Sequence, residues 1–512
     1  MKRMDDILME IKKSVPERSR IASRAALIVG MVAHIYMFTN KLPNYDDVYT
    51  LDGFGATFRL GRWFLWVLGA VAYHLDLVIS LPWINGLVSV LLLTVSAGLL
   101  AELLGVKSRF GNLMIGAAVV VFPTWTSTFF FMFTAPYYAV AVLMMTLAVY
   151  LHMRMKHGSI GAVILIACSL GIYQAYLPYV ATLYVVMLFL MLFDEGRDWK
   201  AILKKAMESL FGLILGVASY YLILQLFLVV RDEQLSSYKG VSSFGGFTAD
   251  RIPEIINQIV SNIYGVFTSN RLEISYNLLT KGMYFVLLLC TMFCVVLLLF
   301  HLIRKADYGK VVITVILLIA FEVAINGIFI MCAEGTYSLM YYSFVFLMIF
   351  PVCLLDRCIE LSENKLLIHT EIITAIALFL GIGSYCHYAN AQYLSMELCY
   401  EQASSYFNTM ITQIKSADGY FDGIPVAFVG NEIQDAAMYH NEIMDRFYMT
   451  GRDRTLIEAY SRTDFLRYYC GFSTDYVSVD DLNKQIIEAM PVYPDSGSIQ
   501  VIDGVVVVKL QE

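Results

Sequence analysis

Charge is what this sequence has least of. Only 15% of its 512 residues are Asp, Glu, Lys or Arg, against 58% hydrophobic, and the mean hydropathy is +0.64. A soluble chain of this length needs far more polar surface than that. The short alternating segments of an outer-membrane barrel are missing too. No basic run interleaved with aromatics points to nucleic acid. There is no CxxC, no Cys/His metal spacing, no glycine-rich phosphate loop and no internal repeat. Cys168, Cys290, Cys294, Cys332, Cys353, Cys358 and Cys386 sit in apolar segments, where cysteine packs as a small apolar residue. Cys399 and Cys470 lie in a polar tail and could pair. No small-residue cleavage site follows the basic first twenty residues, so a cleavable leader is not expected.

What remains is a series of apolar runs near twenty residues long, the mark of a polytopic α-helical membrane protein. Eleven spans are expected, at about 22–39, 82–104, 111–128, 134–152, 159–175, 177–193, 207–230, 278–302, 311–331, 339–356 and 366–387. An aromatic-rich stretch, 61–78, reads as an interfacial helix between the first two. Residues 1–21, with Met4, Ile7, Leu8 and Ile11 on one helical face, read as an amphipathic cytoplasmic segment.

One set of loops carries Lys107, Arg109, Arg154, Lys156, Arg197, Lys200, Arg304, Lys305, Arg357 and Lys365. The short loops near 129–133, 176 and 332–338 carry no Lys or Arg. The positive-inside rule then puts the N-terminus in the cytoplasm and 40–62, 231–277 and everything beyond 388 outside. Residues 22–387 form the membrane domain in this reading. The tail, 388–512, reads as a small extracytoplasmic α/β domain. It has helical patterns at about 391–416, 432–445 and 479–490, a strand at 424–431, and a hairpin over 498–510 turning at Asp503-Gly504.

The most informative interruption is "KLPNYDDVYTLDGFGATFRLGRW", residues 41–63. Pro43 ends the first span, so Asp46 and Asp47 fall at the rim. At mid-bilayer each would cost about 2.5–3.5 kcal/mol. Sugar transfer from a lipid phosphate to a hydroxyl needs a carboxylate to take the hydroxyl proton and cations to receive the departing phosphate. Neighbouring carboxylates raise one another's proton affinity. Arg59 and Arg62 offer the two-pronged phosphate geometry that lysine lacks, with interfacial anchoring as the alternative role. Asp52 reads as a turn residue before Gly53.

An Asp-Asp pair in a long first outer loop resembles the GT-C superfamily of membrane glycosyltransferases. "YDD…GRW", "GIYQAYLP" at 171–178 and the ending "MPVYPDSGSIQVIDGVVVVKL" resemble the Gtr type-II family of bacterial glucosyltransferases. That resemblance implies a bundle of the GT-C kind and a polyprenyl-phosphate sugar donor. It implies a cell-envelope glycan acceptor outside the bilayer and an inverting transfer that uses no nucleotide. It makes Asp46 the general base. Asp47 would orient donor, acceptor or a metal ion, so a divalent cation (Mg or Mn) is the one cofactor left open.

Tyr173 and Gln174 are candidate sugar contacts, with helix–helix bonding the alternative. Glu334, on a short outer loop, could hold a donor hydroxyl or pair with Arg59, Arg62 or Arg271. Glu322 and Asn326 read as a structural polar contact, and His34 as a packed histidine. Segment 231–277, with an amphipathic helix at about 251–267, is either a lid or a static cover. A flippase of polyprenyl-linked glycans would instead place charges deep in broken spans. A polysaccharide polymerase or ligase would rely on arginines in large outer loops.

Overall fold

The computed structural model describes residues 14–51, 58–194, 196–236, 251–269, 272–332, 335–361, 365–431 and 458–511. Asp52, Arg271, Glu334, the amphipathic pattern before residue 14 and the helix expected at 432–445 lie outside them. The described chain is mostly helical. Among the described residues, nine helices are long and apolar enough to cross a membrane.

The first, α1 (Glu17–Thr39), starts after Pro16, and Asn40 closes it by returning its N–H to the Tyr36 carbonyl. It runs against α4 (Pro82–Leu104) and α5 (Arg109–Val121). Gly116 of α5 permits the close approach, since a Cβ there would stand 2.1 Å from the Ala22 carbonyl oxygen. His34 is fully buried between them, with Nε2 2.9 Å from the Val120 carbonyl and Nδ1 2.7 Å from the Tyr393 hydroxyl. It is the packed histidine the sequence suggests. Between α1 and α4 come α2 (Tyr45–Tyr49) and the short apolar helix α3 (Trp63–His74). The far end of α3 and the segment after it expose Val71, Tyr73, Leu75 and Leu77.

The span expected at 111–128 is bent. Pro123 forces Phe122 out of the helical region (φ −55°, ψ 135°), so α5 stops and α6 (Pro123–Phe129) restarts with proline in its first turn. α6 and the turn after it are buried to Phe130 although four of their residues are Ser or Thr. The loop that follows faces the acid pair.

α7 (Ala135–Arg154), α8 (Gly158–Ile172), α9 (Leu177–Leu190), α10 (Trp199–Arg231), α11 (Ile252–Thr268), α12 (Leu278–Arg304) and α13 (Tyr308–Ile325) continue the chain. Asn326 breaks off the short α14 (Gly327–Met331). Two of the eleven expected spans fall short of a crossing length: α8 has 15 residues. The segment 339–356 opens in 3-10 turns before the 16-residue α15 (Phe346–Leu361).

The basic ends gather at one end of the bundle. Arg18 pairs with Glu102 (2.6 Å), Arg109 with Glu17 (2.7 Å) and Lys107 with Glu360 (3.0 Å), while Arg154 caps the Leu103 carbonyl (3.0 Å). These are exposed or half-exposed pairs, worth little individually.

The last span does not end at 387. α16 runs from Lys365 to Lys415, 51 residues, or about 77 Å. It therefore fuses the expected span with the expected tail helix. Beyond it β1 (Val426–Val429), β2 (Ile499–Ile502) and β3 (Val505–Lys509) form a small sheet in the order β1-β3-β2. β3 is parallel to β1 and antiparallel to β2. The hairpin turns at Asp503 (φ 52°) and Gly504 (φ 78°), the two positive φ values a type I′ turn needs. α17 (Lys484–Ala489) lies within the third helical pattern of the tail. All nine cysteines, Cys399 and Cys470 included, are free thiols.

Candidate active site

Asn44 organises the acid pair. Its side-chain oxygen accepts the N–H of Asp46 (2.8 Å) and of Asp47 (2.9 Å), an N-cap that starts α2. Successive residues of a helix point about 100° apart, so the two carboxylates diverge.

Asp47 turns inward and is 4% exposed. Its Oδ2 accepts the Met132 N–H (3.1 Å), and its Oδ1 accepts the Phe133 N–H (3.0 Å) and the Ser80 hydroxyl (3.3 Å). Burial pushes its carboxyl up to about 7; the two amide donors and Ser80 pull the other way, and the Asp46 charge adds to the rise. Asp47 thus ties two separate segments, at Ser80 and Met132–Phe133, to α2.

Asp46 turns outward and is half-buried. Its Oδ1 accepts the Tyr460 hydroxyl at 2.5 Å. Burial raises its proton affinity; the Tyr460 hydrogen bond and the Arg62 charge lower it. The Tyr460 ring meets Tyr45 and Tyr49 edge-on at 6.3 and 5.5 Å. Nearby, the Lys41 ammonium stands 4.1 Å over the Tyr469 ring. A stretch of the tail therefore closes over the acid pair.

Arg62 is the cation of this site. Gly61 before it adopts φ +76°. Gln174 Nε2 donates to the Leu60 carbonyl (2.9 Å) and lies 2.9 Å from the Tyr220 hydroxyl, which donates to the Gly61 carbonyl (3.1 Å). These clamps set the direction of Arg62. Its guanidinium lies 4.9 Å over the Tyr173 ring, which stacks on Tyr138 at 4.5 Å and 8°. The Arg62 Nε is buried and has no hydrogen-bond partner among the described residues. The guanidinium also hydrogen-bonds the Tyr138 side chain, and a guanidinium backed by stacked rings is a good partner for an anion.

Of the residues singled out from sequence, Asp46, Asp47, Arg62, Tyr173 and Gln174 come together here. Tyr173 and Gln174 hold Arg62 and its loop. Arg59 is exposed on the 58–60 turn, and its carbonyl accepts the Ser236 N–H (2.9 Å). The sequence reading missed Ser80, Tyr138, Tyr220, Tyr460 and the Met132–Phe133 backbone. Among the described residues no three His, Cys, Asp or Glu side chains come together to hold a metal ion. Asp47, the residue left open for that role, already spends both oxygens on N–H and O–H donors.

The family model described as Glucosyl transferase GtrII matches residues 35–351. The chain belongs to that family. The match takes in α2, Arg62, the Tyr173–Gln174 corner and the α6 turn, and it ends before Tyr460. No curated protein and no solved structure matches the chain. As a GtrII glucosyl transferase the protein is a glycosyltransferase, which uses a sugar donor and an acceptor, and its apolar helices fit a lipid bilayer.

Proposed function

We propose that this GtrII-family protein moves a hexose, glucose on the family's description, from a polyprenyl-phosphate donor to a hydroxyl of a cell-envelope polysaccharide. The transfer takes place on the outer face of the cytoplasmic membrane, with the N-terminus inside and the tail outside. The supporting observation is the half-buried Asp46 carboxylate beside an aromatic-backed Arg62 whose Nε has no partner among the described residues.

In this reading the acceptor hydroxyl gives its proton to Asp46, and its oxygen attacks the anomeric carbon. The carbon–phosphate-oxygen bond breaks on the opposite face, which inverts the configuration. The departing prenyl phosphate takes the bonding pair and is received by Arg62, with the exposed Arg59 as a second contact. Asp47 keeps its backbone partners and takes no part in the proton transfer.

The test is release of prenyl phosphate from a prenyl-phosphate glucose by purified protein given an envelope glycan. Arg62→Ala is expected to lower turnover by about 10²–10³-fold, the usual loss when one anion-stabilising donor is removed. Wild-type turnover in that variant would remove Arg62 from the reaction. Gly61→Ala probes positioning instead. Its Cβ would stand 2.7 Å from the Tyr220 hydroxyl and 2.8 Å from Gln174 Nε2, at a φ that L side chains rarely adopt. Shifting Arg62 by an ångström is expected to cost about 100-fold in turnover, measured at equal amounts of folded protein.

A further inference from the structure

A partly open cleft lies under α11, and neither Asp46, Asp47 nor Arg62 lines it. The exposed residues Ile252, Ile256, Val260, Ile263 and Tyr264 form one apolar stripe along that helix. Its buried side mixes Ile255, Gly265 and Val266 with a polar chain at Asn262. Gln258 Nε2 donates to Asn262 Oδ1 (3.1 Å), Asn262 Nδ2 to Asn326 Oδ1 (2.9 Å), and Asn326 Nδ2 to the Glu322 carbonyl (3.0 Å). Asn262 and Asn326 are fully buried. A helix on a watery surface shows the reverse pattern. The outer face of α11 suits hydrocarbon, and its inner face offers both amide groups and apolar surface.

Beneath it is a cavity of about 350 Å³, with Arg251, Glu254 and Gln258 on one side and Thr336, Tyr337 and Tyr341 opposite. That is the small end of the range for ligand clefts, about 300–1,000 Å³. Arg251 is the sole Lys or Arg among the described lining residues and pairs with Glu254 at 3.8 Å, so the lining is not that of a phosphate site. Carboxylate, amide and hydroxyl groups around tyrosine rings match the hydroxyls and apolar C–H faces of a sugar. The cavity is also tied to the acid pair. Thr124 donates to the Ser338 carbonyl (2.9 Å), and Ser127 shares a 2.6 Å hydrogen bond with Ser338. Both belong to α6, whose following loop cradles Asp47.

We propose that this cavity binds one pyranose unit other than the one reacting at Asp46. It rests on the reading above only for the choice of glucose. The unit could arrive on a lipid carrier, along the apolar wall of α11, or on a water-borne glycan. Equilibrium binding to the full chain in nanodiscs distinguishes them, with prenyl-phosphate glucose and a glucose tetrasaccharide as probes.

Thr336→Trp, which fills the cavity, is expected to remove one binding event of one probe while leaving any binding at the Asp46 site. Gln258→Leu is expected to weaken that probe about tenfold, as loss of one well-placed hydrogen bond does. The affected probe names the source. Asp46→Asn should keep wild-type affinity. Unfolding midpoints establish that each variant is folded. The proposal is overturned if the wild type binds neither probe, or if the folded variants bind both as the wild type does. In the second case, loss of turnover in Asp46→Asn would leave the reaction assignment standing. Absence of prenyl phosphate release by the wild type would remove that assignment, and the binding result would still decide the cavity.

Discussion

Asp46→Asn is expected to lower turnover by about 10²–10⁴-fold, the span a general base supplies, with little change in stability. The fold uses the backbone of this residue: its N–H goes to Asn44 and its carbonyl accepts Thr50 from both N–H and hydroxyl. Asparagine keeps all of these. It also keeps an acceptor oxygen for Tyr460, so only the ability to take a proton is lost. Donor affinity and the unfolding midpoint should match the wild type while release of prenyl phosphate collapses. Full activity in this variant would exclude Asp46 as the base.

Tyr460→Phe isolates a smaller part of the same arrangement. The Tyr460 hydroxyl holds the Asp46 carboxyl down, so its removal raises the proton affinity of the base. The ionised form is the active one. The rise of activity with pH should therefore move to higher pH, with the plateau rate much less affected. An unmoved profile would mean that Tyr460 does not touch the working base.

How much of this site was legible follows from which contacts are local. Pro43 and the Asp-Asp pair lie a few residues apart, so the end of the first long helix and the place of the acids just beyond it could be read directly. The Asp503-Gly504 turn and the amphipathic period of α11 were legible for the same reason. The cradle of Asp47 was not, because it is made of backbone N–H groups 85 and 86 residues away and has no residue signature. Pro123 stood in plain view, yet the apolar run around it reads as one span; its effect on Phe122 appears only in the backbone angles. Tyr460 is 414 residues from Asp46, in a polar stretch that nothing local connects to the first loop. α16 misled in the opposite way. Hydropathy falls off after 387, but helix propensity does not. Residues such as Ala389, Gln392, Met396, Leu398 and Glu401 continue the helix where the bilayer reading stops.

The largest stability effect should come from Asp47. Leucine there would leave the Met132 and Phe133 N–H groups and the Ser80 hydroxyl without their acceptor, at about 1–3 kcal/mol for each buried donor. That is enough to unfold the acid-bearing loop in a marginally stable chain. Asparagine is the gentler probe, since its oxygen can still serve Phe133 and Ser80 while its amide nitrogen confronts the Met132 N–H. It also separates charge from shape through pH. In the wild type the unfolded Asp47 loses its proton near the ordinary 3.8, whereas the folded one holds it up to about 7. Between those values the folded state binds more protons, so wild-type stability must fall as pH rises. The Asp47→Asn variant has nothing to titrate at this position, and Asp46 titrates in both proteins. The gap in unfolding midpoint between wild type and Asp47→Asn should therefore be widest below pH 4, narrow steadily up to about pH 7, and stay constant above it. A gap independent of pH would mean that Asp47 is ionised throughout, held by its three donors against burial.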